Sequence, residues 1–295
     1  MNISLVILNY NSYKLTIKLA EKCEKYNIIN QIIIVDNAST DVSLQYLEKI
    51  ESKKIILIKN SKNSGYASGN NLGIKYAIKN FKSDFIIISN PDVYFKEESI
   101  KKCIEILQKN KINALIAPRI ENLNCSGEVA WKLPMYKNDL LSLFYISNIL
   151  NKKMEIYDIK EKNKEILEVD VLPGSLLVIK SNVIKDINYL DENTFLYCEE
   201  RILGYKLKEK GYKTILLNSD TYIHEHGATI KKEIKSKINQ YKILNKSKRY
   251  YLKKYLNKNK FELKIFDFLC EISYIEKKIL YFLKNRRSWK WKKFY

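Results

Sequence analysis

The first 118 residues alternate between continuous apolar runs and amphipathic segments of helical length. The apolar runs are rich in β-branched residues, which is typical of strands buried on both faces of a parallel sheet. Repeats of strand, helix and strand predict right-handed βαβ crossovers and an α/β fold with a mostly parallel sheet flanked by helices. The predicted strands cover 3–8, 31–35, 54–58, 84–88 and 114–117, and the predicted helices cover 13–25, 41–51, 69–80 and 96–109.

The pattern is less regular from residue 119 to residue 170. After that, strand and helix patterns return, and from residue 231 onward apolar residues recur at helical spacing. The predicted elements of this part are a strand over 169–180 interrupted by Pro173 and Gly174, a helix over 199–210 ended by Gly211, a strand over 214–217, and helices after 231.

The formal net charge of +20 is distributed unevenly. Residues 231–295 hold 21 Lys and Arg residues against 5 Asp and Glu, a net charge of +16, and 14 of the 35 aromatic residues. This shift predicts a domain over 1–230 and a basic, aromatic, helical extension over 231–295. An anionic membrane surface suits this extension, because Trp289, Trp291, Phe294 and Tyr295 lie among lysines. A solvated helical cap is the alternative, and nucleic acid is not an expected partner because no RNA- or DNA-binding motif accompanies the charge.

Cysteine usage and the chain start bear on location. The five cysteines are scattered, with no CxxC pair, which fits a reducing cytosol and argues against a cysteine metal site. The chain opens directly on a strand-like run, so no signal peptide is predicted. The longest apolar runs are well short of the roughly 20 residues of a membrane-spanning helix. We expect a cytoplasmic protein, peripheral at the inner face of the cell membrane.

Polar residues follow the first two predicted strands. Asn9 and Asn11 end the first, and Asp36 and Asn37 end the second. Nucleotide sites of α/β proteins are built at such strand ends, where a carboxylate can accept hydrogen bonds from a pyrimidine imide or a ribose hydroxyl. Capping of a helix N-terminus is an equal alternative for Asp36.

A segment with three glycines, 63–73, follows the third predicted strand and precedes a helix. Glycine lets the backbone approach a diphosphate closely, and a helix N-terminus offers free N–H groups to an anion. The candidates in this segment are Asn63, Gly65 and Asn70. The segment lacks the lysine of a Walker loop, and glycine loops are common in α/β proteins.

Three later motifs carry carboxylates and imidazoles. Asn90 and Asp92 follow the fourth predicted strand, where Asp92 could bind Mg²⁺ or Mn²⁺ or belong to a simple Asn-Pro-Asp turn. The two histidines of the chain are His224 and His226, and His224 could complete the coordination of a cation held by Asp92.

Glu199 and Glu200 open the helix predicted over 199–210. A carboxylate at this position is held firmly and could remove a proton from a reacting hydroxyl. Compensation of the helix dipole is the alternative interpretation.

In order and spacing these motifs resemble those of family 2 glycosyltransferases, most closely the bacterial rhamnosyltransferase-like and galactofuranosyltransferase-like branch. The resemblance covers about 1–230 and implies a GT-A fold, with a nucleotide-sugar-binding half over 1–118 and an acceptor and catalytic half over 119–230. It implies an inverting transfer of a hexose or deoxyhexose, rhamnose on the branch resembled, from a dTDP- or UDP-sugar. The implied acceptor is a hydroxyl of a glycan or lipid-linked glycan in surface polysaccharide synthesis.

The resemblance also implies roles for single residues. Glu200 matches the position of the base, with Glu199 as a second candidate, and Asp92 and His224 match ligands of Mg²⁺ or Mn²⁺. The donor nucleotide sugar is expected to be contacted by Asn9, Asn11, Asp36, Asn37, Asn63, Gly65, Asn70, Asn90 and Asp92.

Two departures from the family pattern keep alternatives open. The family usually has Glu-Asp where this chain has Glu199 and Glu200. Two positions after Glu200, where the family often has an acidic residue, this chain has Ile202. A catalytically silent nucleotide-sugar-binding protein on the same fold is therefore one alternative. A nucleotidyltransferase is another, because it would also use a glycine-rich loop and a metal-binding carboxylate. It would normally carry a loop rich in glycine and lysine after the first strand, however, where this chain has Asn9-Tyr10-Asn11-Ser12.

Overall fold

The computed structural model describes residues 1–121, 129–149, 157, 164–225 and 236–286. The chain divides into two compact units, the first comprising Met1–Leu133 and Ile156–Glu233, the second Pro134–Glu155 and Ile234–Tyr295. Five residues considered above lie outside the described residues: His226, Trp289, Trp291, Phe294 and Tyr295.

The first unit is built on one sheet. Its described strands are β1 Ile3–Asn9, β2 Gln31–Asp36, β3 Ile55–Lys59, β4 Phe85–Ser89, β5 Val93–Tyr94, β6 Asn113–Glu121, β7 Ile166–Val169, β8 Leu176–Lys180 and β9 Lys213–His224. Their order in the sheet is β3-β2-β1-β4-β8-β6-β9-β5, with β7 paired to β9.

The sheet is mixed. As predicted, β1 to β4 are parallel to one another. The second half differs from a mostly parallel sheet, because β8 runs antiparallel to both β4 and β6, and β9 pairs parallel with β6 but antiparallel with β5 and β7. Pro173 and Gly174 separate β7 from β8, and β9 extends seven residues beyond the predicted strand end at 217.

Helices cover both faces of the sheet. Alternate strand residues enter two separate apolar clusters, with Leu5 and Ile7 on one face and Val6 on the other. This burial on both faces explains why the strands are continuous apolar runs rather than alternating ones. The described helices of this unit are α1 Tyr13–Glu24, α2 Ser43–Leu47, the 3-10 turn Glu48–Ile50, α3 Tyr66–Phe81, α4 Glu97–Lys109, α6 Ser181–Asp186 and α7 Glu199–Glu209.

The second unit is helical, with α5 Tyr136–Leu141, α8 Lys237–Lys254 and α9 Lys260–Arg286. The boundary expected at residue 230 differs from this division, because Pro134–Glu155 belongs to the helical unit. Leu143 is fully buried against Leu252 and Phe266, and its carbonyl oxygen accepts a hydrogen bond from the Tyr241 hydroxyl at 2.9 Å. These partners lie about a hundred residues later in the chain, so no local pattern indicates the grouping.

None of the helices in the described part of the chain is both long and apolar enough to cross a bilayer.

Candidate active site

The predicted site residues lie at one edge of the sheet. The carboxyl ends of the parallel strands β1, β2 and β4 meet there and carry Asn9, Asp36 and the segment of Asn90. β8 is antiparallel to β4 and begins at this edge. The carboxyl end of β9 carries His224, which pairs with Val93. The carboxyl edge is where open α/β sheets bind ligands.

Asp36 is buried in a hydrogen-bonded turn. One carboxylate oxygen, Oδ1, accepts from Asn9 Nδ2 at 2.8 Å and from the Ser39 hydroxyl at 2.6 Å, and Oδ2 accepts from the Ser39 amide at 3.1 Å. Helix capping is therefore the wrong interpretation for Asp36, since the N-cap of α2 is Val42. Instead, Asp36 closes a turn and fixes the end of β2 to the end of β1.

Asn11 strengthens the same connection. Its backbone is left-handed, with φ of 51°, a conformation that asparagine tolerates better than most residues. Its side-chain oxygen accepts hydrogen bonds from the amides of Thr40 at 2.8 Å and Asp41 at 3.2 Å. The loops after β1 and β2 are thus held as one surface.

Asn37 connects β2 to the segment before α3. Its Nδ2 donates to Asn63 Oδ1 at 2.9 Å, and the same oxygen accepts from the Gly65 amide at 3.0 Å. Gly65 has φ of 95°, and a Cβ at this position would clash with the backbone of Phe195. The Phe195 carbonyl oxygen also accepts from the Tyr66 amide at 3.1 Å. Gly65 therefore allows close contact with the segment that precedes α7.

The other two glycines of this segment lie inside α3, since the helix begins at Tyr66 rather than at 69. A Cβ at Gly69 or Gly73 would overlap β1 side chains, so these glycines let α3 approach the sheet closely. This corrects their interpretation as part of a loop. Asn70 lies between them and is fully buried; its Nδ2 donates to the Tyr66 carbonyl, and its Oδ1 has no partner among the described residues.

Three segments meet around the carboxylate of Glu200. The Tyr66 hydroxyl donates to the Gly174 carbonyl oxygen, and the Gly174 amide donates to the Glu200 carboxylate. A Cβ at Gly174 would lie 3.1 Å from Glu200 Oε1, so the missing side chain makes room for this contact. The Ser175 carbonyl oxygen accepts from the Asn90 amide at 2.8 Å. The turn between β7 and β8 thus joins the candidate base to the Asn90–Asp92 motif.

The two glutamates differ in how well the structure stabilises their charge. Glu199 is only 7 % exposed and its Oε1 has no partner among the described residues. Burial, and then the charge of Glu200, raise the pKa of Glu199 to about 8. Burial also raises the pKa of Glu200, but the amides of Gly174 and of Glu200 itself oppose that rise. The charged form of Glu200 is therefore better supported than that of Glu199, which makes Glu200 the stronger candidate for the base.

Replacing Glu199 with Gln is expected to change how stability depends on pH. The raised folded-state pKa means that the folded chain keeps a proton that the unfolded chain releases above the ordinary value of 4.5. The contribution of Glu199 to the free energy of unfolding therefore falls as pH rises from about 4.5 to about 8. Urea unfolding at several pH values should show Glu199→Gln gaining stability over the wild type as pH rises across this window. The exposed α4 carboxylate changed in Glu105→Gln is the matched control, and parallel curves for all three proteins would contradict the assignment.

The backbone before α7 is unusual. Tyr197 and Cys198 both adopt left-handed conformations, with φ of 71° and 72°, although neither is glycine. Consecutive left-handed residues store strain, and such strain is retained where the surrounding structure holds it. Here it turns the chain so that α7 begins at the two candidate carboxylates.

Asp92 and His224 form a close pair. Asp92 Oδ1 lies 3.1 Å from His224 Nε2, and the two side chains are 5 % and 11 % exposed. Adjacent ligands of an octahedral ion, each about 2.1 Å from it, lie about 3 Å apart, so this pair fits two neighbouring positions of Mg²⁺ or Mn²⁺. Within the described residues, no group of three or more His, Cys, Asp or Glu side chains is arranged to hold a metal.

Tyr66, Gly174 and Ser175 were not predicted from the sequence. The interruption of the strand by Pro173 and Gly174 was the available signal, because a glycine inside a strand pattern often marks a place where a ligand or a second backbone approaches closely. Ile202, the departure from the family pattern, is buried in α7 at 1 % exposure and packs in the core.

A separate open cavity of about 870 Å³ lies at the opposite edge of the sheet. Its lining includes Met1, Asp84, Lys111, Lys180 and Tyr212, none of which is a candidate site residue. The candidate catalytic and binding residues therefore place the candidate active site at the carboxyl edge of the sheet rather than in this cavity.

The mixed sheet, with its polar edge, has the GT-A fold. One solved structure with this fold is S. aureus TarS in complex with UDP-GlcNAc, which has a TM-score of 0.55 and 16 % identity, with 83 % of this chain and 65 % of that chain covered. Another is the mannosyltransferase PcManGT from Pyrobaculum calidifontis in complex with GDP-Man and Mn²⁺, which has a TM-score of 0.57 and 11 % identity, with 88 % of this chain and 65 % of that chain covered. At such identities the likeness shows the fold alone.

The family model of Glycosyl transferase family 2 matches residues 4–186, so the chain belongs to that family and the expected resemblance is confirmed. One relative is the low-salt glycan biosynthesis hexosyltransferase Agl10 of Haloferax volcanii, 26 % identical over 209 residues, 71 % of this chain and 62 % of Agl10. Another is the rhamnosyltransferase WbbL of Escherichia coli, 24 % identical over 155 residues, 50 % of this chain and 56 % of WbbL. The matched region spans less than two thirds of either relative.

Proposed function

We propose that the chain is an inverting glycosyltransferase that moves a hexose or deoxyhexose from a nucleotide-diphosphate sugar to a hydroxyl of a glycan or lipid-linked glycan acceptor. The observation that carries this proposal is the contact network at the carboxyl edge of the sheet. Through Tyr66, Gly174 and Ser175 it ties the carboxylate of Glu200 to the segment of Asp92. A transferase needs this combination, a base beside a site for a diphosphate.

Glu200 is proposed as the general base. As the acceptor oxygen attacks the anomeric carbon, Glu200 takes the hydroxyl proton and the nucleoside diphosphate leaves with the bonding electrons of the glycosidic bond. A single displacement of this kind inverts the anomeric centre. The amide of Gly174 supports the role, because it holds the carboxylate in one orientation and favours its charged form.

Asp92 and His224 are proposed as the residues that would hold Mg²⁺ or Mn²⁺. A divalent cation at this place would neutralise the charge that develops on the leaving diphosphate. The donor set supports this, since a carboxylate and an imidazole suit Mn²⁺, and PcManGT was solved with Mn²⁺.

The nucleotide is proposed to lie against the joined loops after β1, β2 and β3. Asp36 and Asn37 are candidates for the base or ribose, and Asn9, Asn11, Asn63, Gly65, Asn70 and Asn90 are proposed to shape this surface or contact the donor. Because Asp36 is held rigidly by three hydrogen bonds, it offers remaining lone pairs in a fixed direction. The proposed donors are dTDP- and UDP-sugars, and the similarity to WbbL supports rhamnose as the sugar.

The location proposed is the cytoplasmic face of the cell membrane, in surface polysaccharide synthesis. The net charge of +16 over residues 231–295 supports an anionic lipid surface as a partner. A lipid-linked acceptor would be reached at that surface.

A panel of dTDP-, UDP- and GDP-sugars with Mn²⁺ tests this function. One donor is expected to raise the melting temperature of the protein, because a ligand that binds only the folded state stabilises it by about 2.7 kcal/mol at 100 times its Kd. The same donor, given glycan and lipid-linked acceptors, should release nucleoside diphosphate and yield a product of inverted anomeric configuration. Release of pyrophosphate from a nucleoside triphosphate and a sugar phosphate would indicate a nucleotidyltransferase instead. Stabilisation without turnover on every acceptor would indicate a silent binding protein.

A further inference from the structure

The helix α9 carries a row of exposed apolar side chains. At 100° per residue these side chains share one side of the helix, and the residues that α9 buries lie on the opposite side. We refer to the row as the apolar stripe. Its members are Phe261, Phe268, Ile272, Ile275 and Ile279, which are 40 % to 71 % exposed, and the buried residues opposite are Leu263, Phe266 and Cys270.

The stripe is continuous along the helix. From Phe261 to Ile279 it spans 18 residues, or about 27 Å at about 1.5 Å per residue. The last four members are spaced by four, three and four residues, which keeps them in line. Single exposed apolar residues are ordinary, but a row of five large ones on one helix marks an interaction surface.

Charge decides which partner fits the stripe. Exposed Lys264 and Lys278 flank it on one side, with Glu271 between them, and the segment 231–295 has a net charge of +16. Two copies joined along this helix would bring two such segments together, which like-charge repulsion opposes. An anionic leaflet offers the opposite charge to the lysines and an apolar layer to the stripe.

We propose that the apolar stripe of α9 lies in the interfacial layer of an anionic lipid bilayer, with its flanking lysines at the headgroups. The inference rests on the peripheral location proposed above and names the residues that make the contact. Phenylalanine and isoleucine enter the boundary between headgroups and acyl chains, and the helix lies parallel to the membrane plane.

Vesicle sedimentation of the full chain tests the stripe. The wild type is expected to sediment with phosphatidylcholine vesicles that contain about one third phosphatidylglycerol, and to remain in solution with phosphatidylcholine alone or at about 1 M salt. The double variant Phe268→Gln/Ile275→Gln should bind the anionic vesicles at least about tenfold more weakly. The matched control is Ile112→Gln/Ile166→Gln, which changes two exposed apolar residues of the first unit and should bind as the wild type does.

Equal binding by the two double variants would overturn the proposal. A second result would also overturn it: the wild type is a dimer in sedimentation equilibrium without lipid, Phe268→Gln/Ile275→Gln is a monomer, and both bind vesicles equally. The apolar stripe would then join two copies of the chain. Circular dichroism and thermal melting establish that both double variants fold. Sugar transfer to a soluble acceptor is measured in parallel. Transfer without vesicle binding defeats only this inference, and vesicle binding without transfer defeats only the proposed function.

Discussion

Glu200→Gln is expected to lower kcat for sugar transfer by about 10²- to 10⁴-fold, the usual contribution of a positioned general base. Gln is nearly isosteric with Glu and can still accept the hydrogen bond from Gly174, but it cannot take a proton from the acceptor. Donor binding should survive, so the thermal shift with the nucleotide sugar and Mn²⁺ should match that of the wild type. This separates a lost base from a lost fold.

The neighbouring Glu199→Gln is the matched control. Because burial and the charge of Glu200 raise the pKa of Glu199 to about 8, removing its ability to ionise should leave kcat within a few-fold of the wild type. The wild-type kcat should rise with pH as Glu200 ionises, with a midpoint above 4.5 because burial raises its pKa, and Glu200→Gln should lack this rise. An inactive Glu199→Gln beside an active Glu200→Gln would exchange the roles of the two residues.

The N-terminal half of the fold could be predicted because its signals are local. Each of the first four strands is a continuous apolar run, and polar residues begin where the strand ends, so both the parallel sheet and its polar edge follow from the pattern. The antiparallel half could not be predicted in this way. The pairing of β8 with β4 joins Leu177 to Ile88 across 88 intervening residues, and strand order at such separation depends on packing rather than on local pattern.

The candidate site was predictable as a set of residue types but not as a set of contacts. The sequence suggested that Asp92 and His224 could bind one cation, because a carboxylate and an imidazole are both metal ligands. In the structure Asp92 Oδ1 lies 3.1 Å from His224 Nε2. The supports of Glu200 were missed for a physical reason, since Gly174 acts through its backbone amide and through the absence of a side chain. Neither property leaves a sequence pattern that distinguishes this turn from an ordinary one. Gly65 illustrates the same limit, because its contact is the backbone of Phe195, 130 residues away.

Asp92→Asn is expected to reduce kcat/KM for sugar transfer by at least about 100-fold, because the cation proposed to bind there would supply several kcal/mol of stabilisation to the leaving diphosphate. Asn keeps the size of the side chain and can still meet His224, so the local structure should remain while the anionic ligand is lost. The wild type should lose transfer on treatment with EDTA and regain it with Mn²⁺. The variant should need a much higher Mn²⁺ concentration for half-maximal activity.

Asp84→Asn is the matched control for this substitution. Asp84 immediately precedes the same strand, β4, but lies at the opposite edge of the sheet with a side chain 56 % exposed. Its replacement should change neither kcat/KM nor the Mn²⁺ requirement, although it removes the same charge. Because the net charge of the protein changes equally in both variants, a loss confined to Asp92→Asn must come from the position of that carboxylate beside His224. Full activity of Asp92→Asn in EDTA would show that this carboxylate binds no catalytic cation.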